Sequence, residues 1–364
     1  SKPTANTSFL MEKVGNGLGN VTKLTYTKLS QAASTIYQKG SGAVYPVRDY
    51  QGPLSVVSSV LYDNGKGSYN TMNYYYEAVK LHLQGRGFLG FMKTRSTDLA
   101  TSIDKESISN YNTTYFYPYL VRTLTKRMGT TDTLETVKNY WNHTVLDAAR
   151  KRIFPYVQSS TQTNKLMGHS VVVTCGYDNY GNPNSIVKNY SNGPTETTTT
   201  TYENIVTPYW LIGRPTAISV QYTGGGNTIT RTGTRVFATN SNNLNTETWF
   251  AGTNNQIADS YIYTPKGCLK YKTSTANGVS RTKTYRYYSD SIRVSIMSGP
   301  TNMDFTAYSY DSYGRIYTKL GFSDFFITYT FDDFGRSTRE MSNTGVDATV
   351  TYSWESPTVD PKPA

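Results

Sequence analysis

The chain has 364 residues and a formal net charge of +11, with 37% hydrophobic and 17% charged residues. Threonine (54 residues) and tyrosine (33 residues) together supply 24% of all positions. Both residue types suit the pleated, half-exposed surface of a β-sheet better than a helix. Glycine (29) and proline (14) are near their ordinary share, which excludes a collagen-like or low-complexity chain. The composition therefore indicates a polar, β-rich globular protein.

Membrane, redox and nucleic-acid signals are weak. No apolar stretch approaches the roughly 18 residues that a membrane helix requires, so no membrane span is predicted. Residues 1–6 lack the apolar core of a signal peptide and an initiator Met, which is expected of a trimmed end. Cys175 and Cys268 are far apart, and the sequence leaves open whether they pair. The basic charge is diffuse, with a longest run at residues 150–152, so we expect a solvated surface and no nucleic-acid partner.

In the first half of the chain, the stretches 21–29 and 69–83 contain the alternation of a β-strand. Asn-Gly pairs that begin at Asn16, Asn64, Asn192 and Asn277 predict hairpin turns along the chain. Residues 132–152 have a helical pattern, which Pro155 would end. Residues 195–202, with five consecutive threonines, are predicted as a strand.

The second half contains a recurring motif: aromatic, Asp, any residue, aromatic, Gly, polar. Copies begin at Tyr177, Tyr310 and Phe331, and a degenerate copy begins at Tyr263. The first aromatic of each successive unit falls at Phe237, Tyr263, Tyr287, Tyr310, Phe331 and Tyr352, in steps of 26, 24, 23, 21 and 21 residues. A period in the low twenties indicates a stacked array of small structural units.

The motif has a direct structural interpretation. Asp at the first position and Gly at the fourth are typical of a type I turn, in which the Asp side chain accepts backbone N–H groups and Gly takes a positive φ. Since about 21 residues suffice for two strands and a turn, each repeat is predicted to be one antiparallel β-hairpin. The predicted structural turn residues are Tyr177, Asp178, Gly181, Tyr310, Asp311, Gly314, Arg315, Phe331, Asp332, Gly335 and Arg336.

These repeats resemble the YD repeats of the RHS class. Residues 74–91, with the sequence YYYEAVKLHLQGRGFLGF, closely resemble a stretch found in the B component of bacterial toxin complexes and in SpvB-like proteins. Phe154-Pro155-Tyr156, the threonine-rich residues 195–202 and the WLIGR sequence at 210–214 follow in the same order as in that family.

The resemblance implies a secreted or cell-surface bacterial protein whose hairpin repeats form a long curved sheet and part of a hollow shell. In that family two such components enclose a toxic carboxyl-terminal segment. The resemblance divides the chain into a toxin-complex-B-like middle region (1–164), YD/RHS hairpin repeats (165–356) and a tail (357–364). The family's propeller-forming portion and its DPxGL-type closing motif are not found, since Asp360-Pro361 is followed by Lys362. We therefore expect the middle of a larger polypeptide or a toxin-complex-like relic.

Motifs for enzyme chemistry are poorly supported. Residues 85–90 satisfy GxGxxG, but no helix opening follows and neither Asp104 nor Glu106 is suitably placed, so a glycine-rich bend is predicted rather than a nucleotide site. His82, His143 and His169 have no ligand spacing, which argues against a metal site. No nucleophile elbow of the GxSxG type occurs.

Two further features have structural explanations. The turn motif accounts for Asp332 and leaves Asp333 as a solvated neighbour, so a pair of catalytic carboxylates is not predicted. Stacked hairpins account for the periodic tyrosines but not for the four tryptophans, which are Trp141, Trp210, Trp249 and Trp354. The predicted function is a non-enzymatic structural scaffold without cofactors, with a second RHS component or the remainder of its own polypeptide as partner. A carbohydrate- or cell-surface-binding β-protein is the alternative.

Overall fold

The computed structural model describes residues 10–15, 20–65, 67–301, 305–332 and 335–351. Within these ranges the only helical element is one 3₁₀ turn, Phe322–Asp324. Twenty-six strands in the described ranges belong to one sheet. The predicted all-β fold of antiparallel hairpins is confirmed.

The strands follow one another with short connections. The first thirteen are β1 (Lys13–Gly15), β2 (Val21–Lys28), β3 (Tyr37–Gln38), β4 (Val47–Asp49), β5 (Ser55–Asp63), β6 (Tyr69–His82), β7 (Gly87–Asp98), β8 (Ile103–Tyr111), β9 (Pro118–Arg127), β10 (Thr133–Asp147), β11 (Arg152–Asn164), β12 (His169–Tyr177) and β13 (Pro183–Tyr190). The remaining strands are β14 (Thr195–Ile205), β15 (Leu211–Gly224), β16 (Asn227–Phe237), β17 (Leu244–Trp249), β18 (Ile257–Tyr263), β19 (Leu269–Ala276), β20 (Val279–Tyr287), β21 (Val294–Ser298), β22 (Phe305–Tyr310), β23 (Ile316–Leu320), β24 (Phe326–Phe331), β25 (Ser337–Ser342) and β26 (Asp347–Thr349).

Strand pairing follows chain order over long stretches. Antiparallel pairs run without interruption from β5 to β12 and again from β15 to β26. Among the described pairings, one is parallel: β3 lies along β6, with Tyr37 opposite Tyr76. Sequential antiparallel pairing is the expected product of short hairpin turns.

The chain separates into two compact units. Unit 1 contains the described residues up to Cys175 together with Val187–Thr195, and unit 2 contains Gly176–Ile186 together with the described residues from Glu196 onward. The predicted boundary between a middle region and a repeat region at residue 164 stays a prediction, and the predicted tail lies outside the described residues.

The helical prediction for residues 132–152 is wrong. Residues 133–147 form β10, which pairs with β9 on one side and with β11 on the other. The β-branched and aromatic residues Val137, Tyr140 and Trp141 favour a strand. Hydrogen bonding to two neighbouring strands outweighs a weak helical pattern.

The Asn-Gly pairs occupy different positions in the described structure. Asn277 and Gly278 join β19 to β20 with φ values of +51° and +75°, which are the two left-handed residues of a type I′ turn. Gly193 has a φ of +107° in the connection after β13. The pair at Asn16 lies outside the described residues.

The hydrophobic core of unit 1 is small and local. Leu29, Tyr37, Val56 and Val79 form its buried cluster. Phe91 packs against it from the partly buried side, with its ring centroid 6.5 Å from that of Tyr37 in an edge-to-face arrangement. The segment that contains β3 thus covers part of the face presented by β6 and β7.

Unit 1 also buries charge. Glu106 is 6% exposed and lies 2.8 Å from the Lys126 ammonium and 3.6 Å from that of Lys93. Burial raises the pKa of Glu106. The Lys126 hydrogen bond and the nearby positive charges, including Arg95, lower this pKa by more than burial raises it, so the net direction is downward. A buried carboxylate held in this way stabilises the fold only while it is ionised.

We predict that Glu106→Gln reduces the pH dependence of stability. Because the folded-state pKa lies below the ordinary 4.5, the stabilisation from Glu106 is present above that value and is lost as the pH falls through the folded-state pKa. Wild type should therefore lose more thermal stability between neutral and acid pH than the variant does. Thermal melting of both proteins at both pH values measures the difference. Glu340→Gln, which removes one carboxylate from β25, is the charge-matched control. Equal pH dependence of wild type and Glu106→Gln would contradict the argument.

Unit 2 has a different pattern of burial. None of its described hydrophobic side chains is fully buried, and its buried polar residues are Arg214 and Ser342. Threonines instead form cross-strand hydroxyl pairs, such as Thr273 with Thr282 at 2.8 Å and Thr330 with Thr338 at 3.0 Å. Such pairs are units of sheet stabilisation on a half-exposed face, which accounts for the threonine content.

Candidate functional site: a ladder of turns

The hairpin between β22 and β23 contains the clearest copy of the sequence motif. The Asp311 carbonyl accepts the Gly314 N–H at 3.0 Å, and the Asp311 N–H donates to the Arg315 carbonyl at 2.9 Å. Gly314 has a φ of +82°. This is a type I turn followed by a left-handed glycine, the geometry of a three-residue hairpin loop with a bulge.

The Asp311 side chain organises this loop. Its Oδ1 accepts the backbone N–H groups of Tyr313 and Arg315, both at 2.9 Å, and its Oδ2 accepts the Arg315 Nε–H at 2.6 Å. Partial burial raises the pKa of Asp311, while these hydrogen bonds and the Arg315 charge lower it, and the net direction is downward. The ionised carboxylate is thus the form that the loop binds.

The other two full copies of the motif have similar contacts. Asp178 accepts the N–H groups of Tyr180 and Asn182, both at 2.9 Å, and Gly181 has a φ of +86°. Asp332 accepts the Arg336 N–H at 2.9 Å and the Arg336 guanidinium. Gly335 has a φ of +81°, whereas Asp333 and the second aromatic of this copy lie outside the described residues.

Hydroxyl residues replace the aspartate in two further turns. In the degenerate copy, the Thr264 Oγ1 accepts the Cys268 N–H at 3.1 Å, and Gly267 has a φ of +84°. After β25, the Ser342 Oγ accepts the Val346 N–H at 3.2 Å. The Ser342 turn was missed by sequence reasoning because serine replaces the aspartate that marks the motif.

A turn at Asp290 was also missed. Its Oδ1 accepts the N–H groups of Ile292 and Arg293 at 2.9 and 3.1 Å, and Arg293 pairs with Oδ2 at 2.5 Å. Ser291 adopts the left-handed conformation, with a φ of +60°. The missing glycine conceals this turn in the sequence, and the Asp and Arg three residues apart are the signal that could have revealed it.

The periodic aromatics mark a second shared feature. In each hairpin the strand register shifts by one residue immediately before the aromatic, which is the signature of a β-bulge. These shifts precede Phe237, Tyr263, Tyr287, Tyr310 and Phe331.

The tyrosines at these bulges bind the neighbouring strand. The Tyr310 hydroxyl donates to the Val294 carbonyl at 3.0 Å, where β21 begins. Tyr263 and Tyr287 donate in the same way to the carbonyls of Leu244 (3.0 Å) and Leu269 (2.7 Å), the first residues of β17 and β19. Each hydroxyl thus connects the entrance of one turn to the exit of the preceding turn.

Arginines complete the link between consecutive turns. The Arg315 guanidinium lies 4.6 Å from the Phe331 ring centroid, and its Nη1 donates to the Asp332 carbonyl at 3.3 Å. The Arg293 guanidinium lies 5.5 Å from the Tyr310 ring, which is the equivalent contact one turn earlier. A guanidinium over an aromatic face is attracted by the ring quadrupole.

We use the name turn ladder for this set of linked turns in unit 2. Its residues are Arg214, Phe237, Tyr263, Tyr287, Arg293, Tyr310, Asp311, Arg315, Phe331 and Asp332. Arg214 is 3% exposed, lies 5.4 Å from the Phe237 ring and donates to the carbonyls of Ala238 and Ser241 at 2.7 and 3.0 Å. Among the predicted turn residues, Arg315 links the turn that begins at Tyr310 to the turn that begins at Phe331. The Asp178 carboxylate accepts a hydrogen bond from the Asn204 side-chain amide at 3.1 Å.

The residues considered for chemistry have structural contacts. His82 Nδ1 accepts the N–H groups of Gln84 and Arg86, which supports the glycine-rich connection between β6 and β7. His143 lies 3.3 Å from the Tyr117 hydroxyl. Cys175 and Cys268 are both free thiols. No group of three His, Cys, Asp or Glu residues within the described ranges is arranged to hold a metal ion.

The tryptophans are dispersed. Trp141 donates its indole N–H to the Leu120 carbonyl at 2.8 Å, Trp210 is 74% exposed, and Trp249 lies beside the Arg235 guanidinium. Trp354 lies outside the described residues. Among the helices that the structure describes, none has the length and apolar character to span a membrane.

Comparisons with known proteins support the sequence resemblance. Residues 2–121 match the family model described as the insecticide toxin TcdB middle/N-terminal region. Residues 2–121 thus resemble the middle region of a TcdB-like toxin-complex component. The predicted resemblance to toxin-complex B components is thereby confirmed.

Solved TcdB2 structures have the same fold as nearly the whole chain. The structure described as TcdB2-TccC3-Cdc42 aligns with 97% of this chain at 9% sequence identity and a TM-score of 0.67. The structure described as TcdB2-TccC3 aligns with 96% of it at 8% identity and the same TM-score. The alignments cover 25% and 26% of those chains, so this chain spans about a quarter of their length. The comparison with curated protein sequences gives no match.

We predict a graded response to substitutions in the Tyr310–Arg315 turn. Gly314→Val should destabilise the fold most, by about 1–3 kcal/mol, because a β-branched residue is strained at positive φ. Asp311→Ala should have a smaller effect through loss of its hydrogen bonds, and Ser312→Ala, at an exposed apex position, should be nearly silent. A thermal-melting series tests this order. A stable Gly314→Val together with a strongly destabilised Ser312→Ala would refute the turn assignment.

We also predict that Tyr310→Phe lowers stability by about 1 kcal/mol, the net value of one hydrogen bond. The ring should still fit, since phenylalanine occupies the equivalent position at Phe331. Tyr313→Phe is the matched control, because Tyr313 is 83% exposed. Chemical denaturation of both variants measures the difference. Equal stability of the two variants would show that the hydroxyl contact to Val294 contributes nothing.

Proposed function

We propose that this chain is part of an RHS/YD-repeat, toxin-complex-like polypeptide and acts as a non-enzymatic structural scaffold. In this proposal its hairpins form part of a β-sheet shell that encloses cargo. The turn ladder is the observation that carries the proposal. Its tyrosine hydroxyls and its Arg293 and Arg315 guanidiniums join one hairpin to the next, and its polar groups bind one another and the backbone.

The contacts of the turn ladder are suited to a sheet that is extended by repeated hairpins. A hairpin that binds its neighbours through backbone pairing, a tyrosine hydroxyl and an arginine–aromatic contact can be added many times without a second layer. The Tyr310 hydroxyl and the Arg315 guanidinium bind in opposite directions along the chain, the first to the preceding strand and the second to the following turn. The Tyr310–Arg315 repeat therefore contacts both of its neighbours.

The proposed partners and location follow from the resemblance. TcdB2 structures that share the fold contain TccC3, which supports a second RHS component, or the remainder of the same polypeptide, as partner. We place the protein outside the cell, secreted or on the cell surface. Residues 1–164 act as the toxin-complex-B-like middle region and 165–356 as the YD repeats.

Co-expression with a TccC-type component tests the scaffold directly. The chain, within its full-length polypeptide, is expected to co-purify with that component and to protect a reporter at the component's cargo position from proteinase digestion. Gly314→Val should reduce protection, whereas the matched Ser312→Ala should not. Co-purification without any protection, or protection that is equal with and without this chain, would overturn cargo enclosure.

The scaffold proposal also predicts an absence of catalysis. The purified protein should not hydrolyse glycosidic, ester or peptide substrates, and it should not cleave itself during prolonged incubation. Product assays and gel electrophoresis over time measure both. The appearance of a specific fragment, abolished by a single Asp substitution, would contradict the proposal.

A further inference from the structure

A cationic pocket lies on the sheet face formed by β19 and β20 in unit 2. Its volume is about 420 Å³, and its lining residues are Lys272, Ser274, Arg281, Lys283, Tyr285 and Pro300. This volume falls within the range of small-molecule sites in proteins. The turn ladder does not account for the pocket, since none of its residues lines it.

Strand register places like charges together in this pocket. Lys272 of β19 lies directly opposite Lys283 of β20, and Ser274 lies opposite Arg281. Because side chains alternate along a strand, Arg281, Lys283 and Tyr285 share one face. Like charges directly opposite each other in a sheet are destabilising. The sheet thus holds three cationic side chains close together around one pocket.

Only one of the three cations is neutralised within the described residues. The Lys272 ammonium lies 2.9 Å from Asp259 Oδ2 and 5.6 Å from the Tyr261 ring centroid. Arg281 and Lys283 are exposed, and no carboxylate in the part of the chain that the structure describes forms an ion pair with either. The pocket therefore retains two uncompensated positive charges beside a hydroxyl and an aromatic ring.

We propose that this pocket binds a sulfated saccharide. The sulfate ester would lie between Arg281 and Lys283, where a guanidinium offers paired N–H donors and an ammonium offers a point charge. The Ser274 hydroxyl supplies a further donor. Tyr285 presents an amphipathic ring on which the apolar face of a sugar can pack.

The compactness of the site favours a saccharide over a nucleic acid. Single-stranded nucleic acid is bound by a charged groove that follows the backbone and by several aromatic rings on which successive bases stack. Here the three cations surround one pocket, and its lining contains one aromatic residue, Tyr285. The site thus matches one anionic sugar unit. This inference is independent of the scaffold proposal, since it concerns different residues, which lie within β19 and β20 rather than at the turns.

Isothermal titration with a heparin-derived tetrasaccharide at physiological salt tests the proposal. Wild type should bind saturably, and Arg281→Gln and Lys283→Gln should each weaken binding about tenfold, the expected effect of losing one charge-assisted hydrogen bond. Tyr285→Leu should weaken tetrasaccharide binding. The same variant should bind inorganic sulfate as well as wild type does, because sulfate has no sugar ring to pack on Tyr285. Arg286→Gln removes the same charge from the opposite face of β20 and should bind as wild type.

Several outcomes would overturn the proposal. These are a lack of saturable binding by wild type, an equal loss in Arg286→Gln, and equal affinity for a short oligothymidylate. The Arg286→Gln result would identify a general effect of net charge, and the oligothymidylate result a non-specific polyanion surface. Thermal melting of every variant confirms that the fold is intact, and Lys283→Arg, which keeps the charge, should retain binding. Loss of cargo protection in the scaffold experiment would leave these results unchanged.

Discussion

Unit 2 buries little hydrophobic surface, and the rest of its structure is constrained by this. None of its described hydrophobic side chains is fully buried, so burial of apolar surface contributes less than in an ordinary two-layer domain. Each strand must obtain its stability from its hydrogen-bonded neighbours. Tyrosine and threonine suit this situation because each combines an apolar body with a hydroxyl that can bond across strands. The Tyr310–Val294 and Thr273–Thr282 contacts show both forms.

The turns solve a related problem, which is how consecutive hairpins keep a common register. A one-residue slip would invert the faces of a strand. The bulges before Phe237, Tyr263, Tyr287, Tyr310 and Phe331 set where these hairpins begin, and a left-handed glycine follows in the turns after Tyr263, Tyr310 and Phe331. The Asp311–Arg315 ion pair is partly exposed and such pairs contribute little by themselves. Its value lies in orienting Arg315 toward Phe331 and the Asp332 carbonyl in the next turn.

The turn ladder and the cationic pocket occupy different parts of the same hairpins. The turn ladder uses residues at the ends of strands, whereas the cationic pocket uses Lys272, Arg281 and Lys283 within β19 and β20. Arg281 and Lys283 are exposed within β20 and take no part in the ladder contacts. A repeated wall can therefore acquire a ligand site on its face without disturbing the contacts that build the wall. Unit 1 uses a further strategy, since Glu106 is buried with lysine partners on adjacent strands.

Local chemistry explains how much of the structure could be predicted from the sequence. Composition and alternation determined the all-β class, and the spacing of Asp and Gly located turns because their hydrogen bonds, such as those of Asp311, close within five residues. The turn at Ser342 was not predicted because serine replaces the aspartate of the motif. The turn at Asp290 was not predicted because Ser291 replaces the left-handed glycine and the aspartate lies three residues, not four, before its arginine.

Only the tertiary structure decided the features that depend on strand pairing. Residues 133–147 form β10 because β9 and β11 supply backbone partners on both sides, which no local pattern encodes. The contact between Arg315 and Phe331, and the opposition of Lys272 and Lys283, likewise depend on register between strands. The sequence by itself thus determined which residues turn the chain, and long-range hydrogen bonding decided which side chains meet, since a shift of one residue would separate them.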